Sequence, residues 1–481
     1  MLFNSYVFIF LFLPITWLIY FSLNKFKLVD LSKSFLLGSS LFFYAYWNPK
    51  YLPLILVSIL LNYSLTNQIL GETSEKRKKL LFYFGLTFNL GLLGYYKYTD
   101  FFLENLGLLT SIEFQTLSII LPLGISFYTL QQVAYLVDVY QGISGEKRLV
   151  DYALFVTFFP QLIAGPIVHY DEIMPQLQSL KSKVFSPQNF AKGLFIFTVG
   201  LSKKVLIADT LSPWVTEGFS NTQTLHFFSA WGTSLSYTLQ LYFDFSGYSD
   251  MAIGLGYLFN IKIPQNFNSP LRAGNINDFW AKWHMTLSIF IRTYIFTPLV
   301  KLMPKSTFGY SMIAMFLAMT IAGIWHGAAW TFVIYGMIHG IAIIIHYYWK
   351  KRKRKLPYFL AWLITFNFVN ISFIIFRAPT LTHAKHILLG MLGLQGIQLP
   401  KMGLNFLTKL GAKMGPYMTN EENLQLLFIM LGFLIIFKAD NSTLLQDQFR
   451  PRKRLAFFAG LLFVLCLFGL NRVSEFIYFN F

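Results

Sequence analysis

Three groups of side chains in this sequence could take part in chemistry, and each sits where charge is costly. His326 lies in IAGIWHGAAWTF, flanked by Trp325 and Gly327, with Trp330 close by and no charged residue near it. An imidazole in apolar surroundings stays neutral and can take a proton from a hydroxyl, which is the task of a general base. Its small neighbours leave room for a substrate. The plain alternative is a core histidine hydrogen-bonded between helices. His284 lies in NDFWAKWHMTLSIFIRTY, among Trp280, Lys282, Trp283 and Arg292. Trp beside Lys predicts a position at a membrane interface, where the histidine either orients a substrate or anchors the segment. Asp244 and Asp250 lie in LYFDFSGYSDMAIGLGY. A carboxylate at bilayer depth costs several kcal/mol, so each needs a partner or water. Either they wall a pocket, or they pair with Arg, Lys or backbone donors in a tight bend of Ser and Gly residues.

Other chemistries find little support. His383 and His386 are three apart in a polar connection, but no third ligand follows, so they do not make a zinc site. Glycine loops of the Walker or dinucleotide type are absent, as is a Gly-x-Ser-x-Gly elbow, which argues against ATP-driven transport and soluble-type hydrolysis. Cys466 is the single cysteine, so no intrachain disulfide forms.

The elements that must position these residues are membrane helices. Of 481 residues, 55% are hydrophobic and only 12% charged, against roughly 25% charged in soluble domains. Long apolar runs recur along the whole chain, and about 20 apolar residues cross a bilayer core. The first, Leu2 to Leu23, has neither a basic leader nor a small-residue cleavage site and reads as a retained helix. The net charge of +18 gathers in short connections: Lys76 to Lys79, Lys350 to Lys355, and Arg450 with Arg452, Lys453 and Arg454. These are topology signals that place the clusters in the cytoplasm and both chain ends, through Phe481, outside; nucleic acid is not implied. We expect an all-α polytopic protein of one domain, residues 1–481, with about 11 to 13 membrane segments, Tyr152 to Val168 among them. Two segments, Phe227 to Ile261 and Tyr310 to Trp349, are too long for one crossing and carry polar residues at their middles. Both predict broken or re-entrant helices around a central cavity.

Four blocks resemble the membrane-bound O-acyltransferase family, in particular its bacterial alginate and peptidoglycan O-acetyltransferases. They are PQLIAGPIVHYDEIMPQL from Pro160, LYFDFSGYSDMAIGLGYLFNIKIPQNFNSPLRA from Leu241, FWAKWHMTLS from Phe279 and GIWHGAAWTF from Gly323. The chain departs from that pattern at Ala281 and Thr293, and after Tyr294. The resemblance implies His326 as the catalytic histidine and His284 as a second important one. It implies acetyl-CoA as acyl donor, with no bound cofactor or metal. Trp283, Lys282, Arg272 and Trp325 are then candidates for contacting the donor, Lys203 and Lys204 for meeting its phosphates. Asp244, Asp250 and Asn268 become pocket residues. The implied setting is a bacterial inner membrane, with a polysaccharide acceptor (alginate-like, peptidoglycan or teichoic acid) and an extracytoplasmic partner transferase of the serine-hydrolase type. A transporter or flippase for an envelope glycan precursor is the alternative, since broken helices and intramembrane carboxylates also suit transport.

Overall fold

The computed structural model describes residues 1–305, 307–397, 420–470 and 476–477. Helices account for its regular structure, and there is no strand among the described residues. The longer helices are α1 (Phe8–Lys25), α2 (Val29–Ala45), α3 (Leu52–Gly71), α4 (Glu75–Thr110), α5 (Ile125–Tyr140), α6 (Leu149–Thr157) and α7 (Pro187–Ser202). They continue with α8 (Phe227–Leu258), α9 (Met285–Phe290), α10 (Phe308–His326), α11 (Trp330–Lys351), α12 (Tyr358–Arg377), α13 (Asn420–Lys438) and α14 (Lys453–Gly469).

Among the described residues, six spans are long and apolar enough to cross a membrane: Phe8–Lys25, Pro49–Gly71, Met285–Leu302, Phe308–His326, Trp330–Lys351 and Tyr358–Arg377. This is an all-α polytopic membrane protein. Most of the other crossings expected from sequence fall on helices that are shorter, such as α2, α5 and α14, or richer in polar residues, such as α4 and α8. Tyr152 to Val168 is not a crossing. Helix α6 stops at Thr157, Phe158 turns the chain (φ −48°, ψ 107°), and Pro160 opens a single turn over Phe159–Leu162. The amides of Gln131 and Gln161 both donate to the Phe155 carbonyl at 2.9 Å, which satisfies the backbone beside the break.

The expected break in Phe227 to Ile261 is also absent: α8 runs unbroken for 32 residues. Its serines and glycines serve packing. A Cβ on Gly200 of α7 would lie 2.5 Å from the Gly247 carbonyl oxygen, and one on Gly254 would lie 2.6 Å from the Phe197 nitrogen. The two backbones therefore touch directly, and nothing in α8 has to open.

Contacts between helix ends gather the basic clusters at one end of the bundle. Arg148, just before α6, pairs with Asp30 in the first turn of α2 at 2.6 Å, and Tyr140 at the end of α5 stacks on Phe82 near the start of α4 (4.4 Å). Gln176 donates to the Lys262 carbonyl beyond α8, and Tyr358 at the start of α12 donates to the Arg272 carbonyl. The Gln446 amide donates to Tyr257 near the end of α8, just ahead of the Arg450 cluster. The positive-inside rule predicts a cytoplasmic position for such an end. The Tyr6 hydroxyl donates to the Leu467 carbonyl, joining the start of α1 to the end of α14 at the other. The expected outer position of the last residue, Phe481, lies outside the described residues.

Candidate active site at the tips of two hairpins

Helices α10 and α11 form a hairpin whose two legs both end among basic residues, and its tip is the break at His326. Helix α10 ends on His326, Gly327 is extended, and α11 begins at Trp330. Nineteen residues at 1.5 Å each put the tip about 28 Å along the helix from the basic end. A helix terminus leaves its last carbonyls without intrahelical donors, and α4 supplies replacements. The Lys97 ammonium donates to the carbonyls of Trp325 (2.5 Å) and His326 (3.1 Å) and to the Ser126 hydroxyl (3.1 Å). The Tyr98 hydroxyl donates to the Ile324 carbonyl at 2.8 Å, and Asn105 accepts from the Trp330 indole at 2.9 Å. A cation at a helix C-terminus is also favoured by the helix dipole. The His326 ring is buried between Trp325 (5.0 Å between centroids), Phe376 (5.2 Å) and Tyr335 (6.1 Å).

The second hairpin is re-entrant. After α8 the chain follows the basic end to Arg272, enters through Ile276–Trp280, turns at His284, and returns through α9, Ile291–Phe296 and Thr297–Leu302. His284 sits in the left-handed region (φ 43°), where an L-residue is strained and held only by its surroundings. Asn266 does the holding. Its Oδ1 accepts from the Thr286 backbone N–H (3.3 Å) and hydroxyl (3.0 Å), and its own carbonyl accepts from the Met285 N–H. Because that oxygen is an acceptor, the 3.1 Å contact with His284 Nδ1 places the ring proton on Nδ1 and makes Nε2 the basic nitrogen. The interface position expected for His284 is thus overturned: the residue is fully buried, because the re-entrant turn carries it inside.

The two tips meet through Trp325, whose ring lies 6.5 Å from that of His284 and 5.0 Å from that of His326. A third buried histidine, which sequence reasoning missed, fixes their relation. His339 of α11 accepts from the Trp280 indole at Nδ1 (3.1 Å) and bonds the Ser372 hydroxyl of α12 at Nε2 (3.0 Å); Ser372 in turn donates to the Val369 carbonyl. Both ring nitrogens are thereby used in joining three elements. A groove of about 660 Å³, lined by Asn277, Trp280, Met285, Ser288, Arg292 and Met319, opens beside this junction.

The remaining expected site residues are taken up in ion pairs, caps and packing. Asp244 pairs with Lys204 at 2.7 Å, and Asp250 with Lys203 at 2.6 Å. Lys204 also bridges to Asp209 at 2.8 Å, and Lys203 reaches the Ser442 hydroxyl at 2.6 Å. Both lysines, expected to meet donor phosphates, instead neutralise these carboxylates. Arg272 donates to the carbonyls of Ile436 (2.5 Å) and Ala439 (2.9 Å), capping the end of α13. The Asn268 side chain accepts from Asn441 at 2.8 Å, while its backbone N–H donates to the Lys282 carbonyl at 3.0 Å, two residues before His284. Lys282 pairs with Asp278 at 2.9 Å and keeps about a third of its surface exposed, 32%. Trp283 packs on Phe279 at 5.5 Å within the core. Lys97 and Asn266 were missed as well; a lone lysine in the apolar stretch GLLGYYKYTD was the available signal. Among the described residues no cluster of His, Cys, Asp and Glu could hold a metal ion.

The two hairpins of this all-helical membrane protein thus bring buried histidines together at Trp325. The chain belongs to the membrane-bound O-acyltransferase family, whose model matches residues 140–381, a stretch that includes both hairpin tips. It is 43% identical to a peptidoglycan O-acetyltransferase of Helicobacter pylori, over 100% of this chain and 98% of that protein. It is 37% identical to a probable alginate O-acetylase of Azotobacter vinelandii over 79% of this chain and 76% of the relative. A teichoic acid D-alanyltransferase of Bacillus subtilis is 31% identical over 54% of this chain and 70% of its own length. The protein is therefore an acyltransferase, and the transporter reading falls away.

Proposed function

We propose that this protein O-acetylates a cell-envelope polysaccharide from the bacterial inner membrane, with peptidoglycan as the acceptor that the full-length likeness favours. Acetyl-CoA donates from the cytoplasmic end. His326 takes the proton from the attacking hydroxyl as its oxygen bonds the thioester carbonyl carbon. The carbon–sulfur bond then breaks, and the imidazolium returns its proton to the departing thiolate. The hydroxyl belongs to the glycan or to a serine of an extracytoplasmic serine-hydrolase-type transferase that completes the acetylation. His284, with its proton on Nδ1, offers Nε2 to orient the reacting groups. Lys97 is a positioning residue, acting through the backbone that carries His326.

The observation that carries this reading is the meeting of the two hairpin tips at Trp325, at the far end of α10 from the basic clusters. An acetyl group taken up at the basic end would be delivered near the opposite face, as acetylation of an exported glycan requires. The test is transfer of labelled acetyl from acetyl-CoA in proteoliposomes holding the protein and its partner transferase, with wild type and His326→Ala at matched levels. Wild-type turnover that disappears in the variant is the expected result. Equal turnover in both would sink the assignment of His326.

A further inference from the structure

We propose that a groove between α1, α7 and α14 is a binding site for an anionic glycerophospholipid, its acyl chains along the apolar walls and its phosphate on Arg450, Arg452 and Arg454. Two cavities run together here. The apolar one, about 920 Å³, is lined by α1 from Ile9 to Leu18, by α7 from Phe190 to Thr198, and by α14 through Ala456, Ala459, Gly460 and Phe463. The polar one, about 780 Å³, is lined by Gln448, Arg450, Arg452 and Arg454, with Asp447 its one carboxylate. Phe195, Phe449, Arg452 and Leu455 line both, so the two form one amphipathic groove.

Its origin is visible in the sequence of α14. Positions 456, 459, 460 and 463 share one helix face, and three of them are Ala or Gly, so α14 leaves space where larger side chains would close on Trp17 and Leu194. The polar end lies at the basic end of the bundle, where headgroups of the inner leaflet sit. Among the described residues, none of the three arginines has a carboxylate within ion-pair distance, in contrast to Lys203 and Lys204 in the neighbouring bundle. Basic pockets between membrane helices on this side suit anionic headgroups, and each basic residue near the surface contributes about 1 kcal/mol, a factor of about five in affinity. An apolar partner helix could pack on the small face of α14, but it would offer nothing to three arginines. Charge therefore favours the phospholipid.

The test is native mass spectrometry of the full chain in mild detergent, supplied with equal phosphatidylglycerol and phosphatidylethanolamine. Wild type is expected to retain phosphatidylglycerol at least ~5-fold over phosphatidylethanolamine. Two independent variants should remove that preference: Ala459→Trp, which fills the apolar end without touching charge, and a combined Arg450→Gln, Arg452→Gln, Arg454→Gln variant. Arg352→Gln with Arg354→Gln, in another basic cluster, should leave it intact. Equal retention of both lipids by wild type would overturn the proposal. So would a preference that survives Ala459→Trp, one lost equally in the control variant, or a polypeptide crosslinked into the groove from native membranes. Should the triple-arginine variant fail to fold, Ala459→Trp alone still decides.

Discussion

Helix α8 and the α10–α11 hairpin look alike as strings of residues, yet the protein uses them in opposite ways. Each is a long apolar segment interrupted by polar residues near its middle. In α8 the backbone closes every hydrogen bond along 32 residues, and its carboxylates are neutralised by lysines from the π-helical segment Lys203–Ala208. In the hairpin the helix stops at His326, and its carbonyls are capped from another helix by Lys97 and Tyr98. A polar residue at bilayer depth is thus structural where a neighbouring element supplies its counter-charge, and open to chemistry where the backbone itself has been interrupted.

Substitutions that separate stability from turnover would break or sharpen this contrast. The largest effect is expected from His326→Ala, a loss of acetyl transfer of about 10²- to 10⁴-fold with little change in melting temperature. A variant that unfolds in detergent would place His326 among the structural residues with His339. Lys204→Met should do the reverse. It leaves Asp244 and Asp209 buried without their shared cation, and removing one partner of a buried ion pair costs about 3–5 kcal/mol. Yield and thermal stability should drop, while turnover per folded molecule holds.

Gly254→Leu should have a smaller effect on the same side of the contrast. It forces a side chain against the α7 backbone at Phe197, and overpacking of this kind costs about 1–3 kcal/mol, visible as a lower melting temperature at normal kcat. Lys97→Met tests the hairpin. We expect kcat to fall about tenfold with KM for acetyl-CoA near wild type, and Lys97→Arg to recover part of the loss, because misplacing a catalytic group by a fraction of an ångström already slows a positioned reaction. A change in KM alone would make Lys97 a donor-binding residue. The smallest effect belongs to Arg272→Gln. As a cap on α13 its loss should cost about 1 kcal/mol of stability and leave KM for acetyl-CoA unchanged; a several-fold rise in KM would return Arg272 to the donor site.

His326 stood out in sequence because an imidazole set among Trp, Gly and Ala in an apolar run is costly to bury unless it has a partner or a task, and His284 because its surrounding block, like that of His326, resembles a known family; His339 stood out in neither way. The all-α polytopic class followed from the apolar runs. What sequence pattern missed depends on contacts distant along the chain. Lys97 is 229 residues from His326, and Asn266 holds His284 from 18 residues away. The break expected in Phe227 to Ile261 failed for a related reason: Gly247 and Gly254 read equally well as a bend or as a packing face, and only α7 distinguishes them.

Composition, run length and charge clustering by themselves determined that this chain lives in a bilayer, that it is helical, and which end of the bundle is basic, because the cost of exposing backbone or charge to hydrocarbon is a local property of each segment. Tertiary structure alone decided which polar residues meet. Lys203 and Lys204 face carboxylates and not a donor's phosphates, Arg272 caps a helix, and His284 reaches His326 across Trp325. The physical reason is that every buried hydrogen-bonding group must find a partner somewhere, and in a bundle of many helices the partner is chosen by packing in space and not by nearness along the chain.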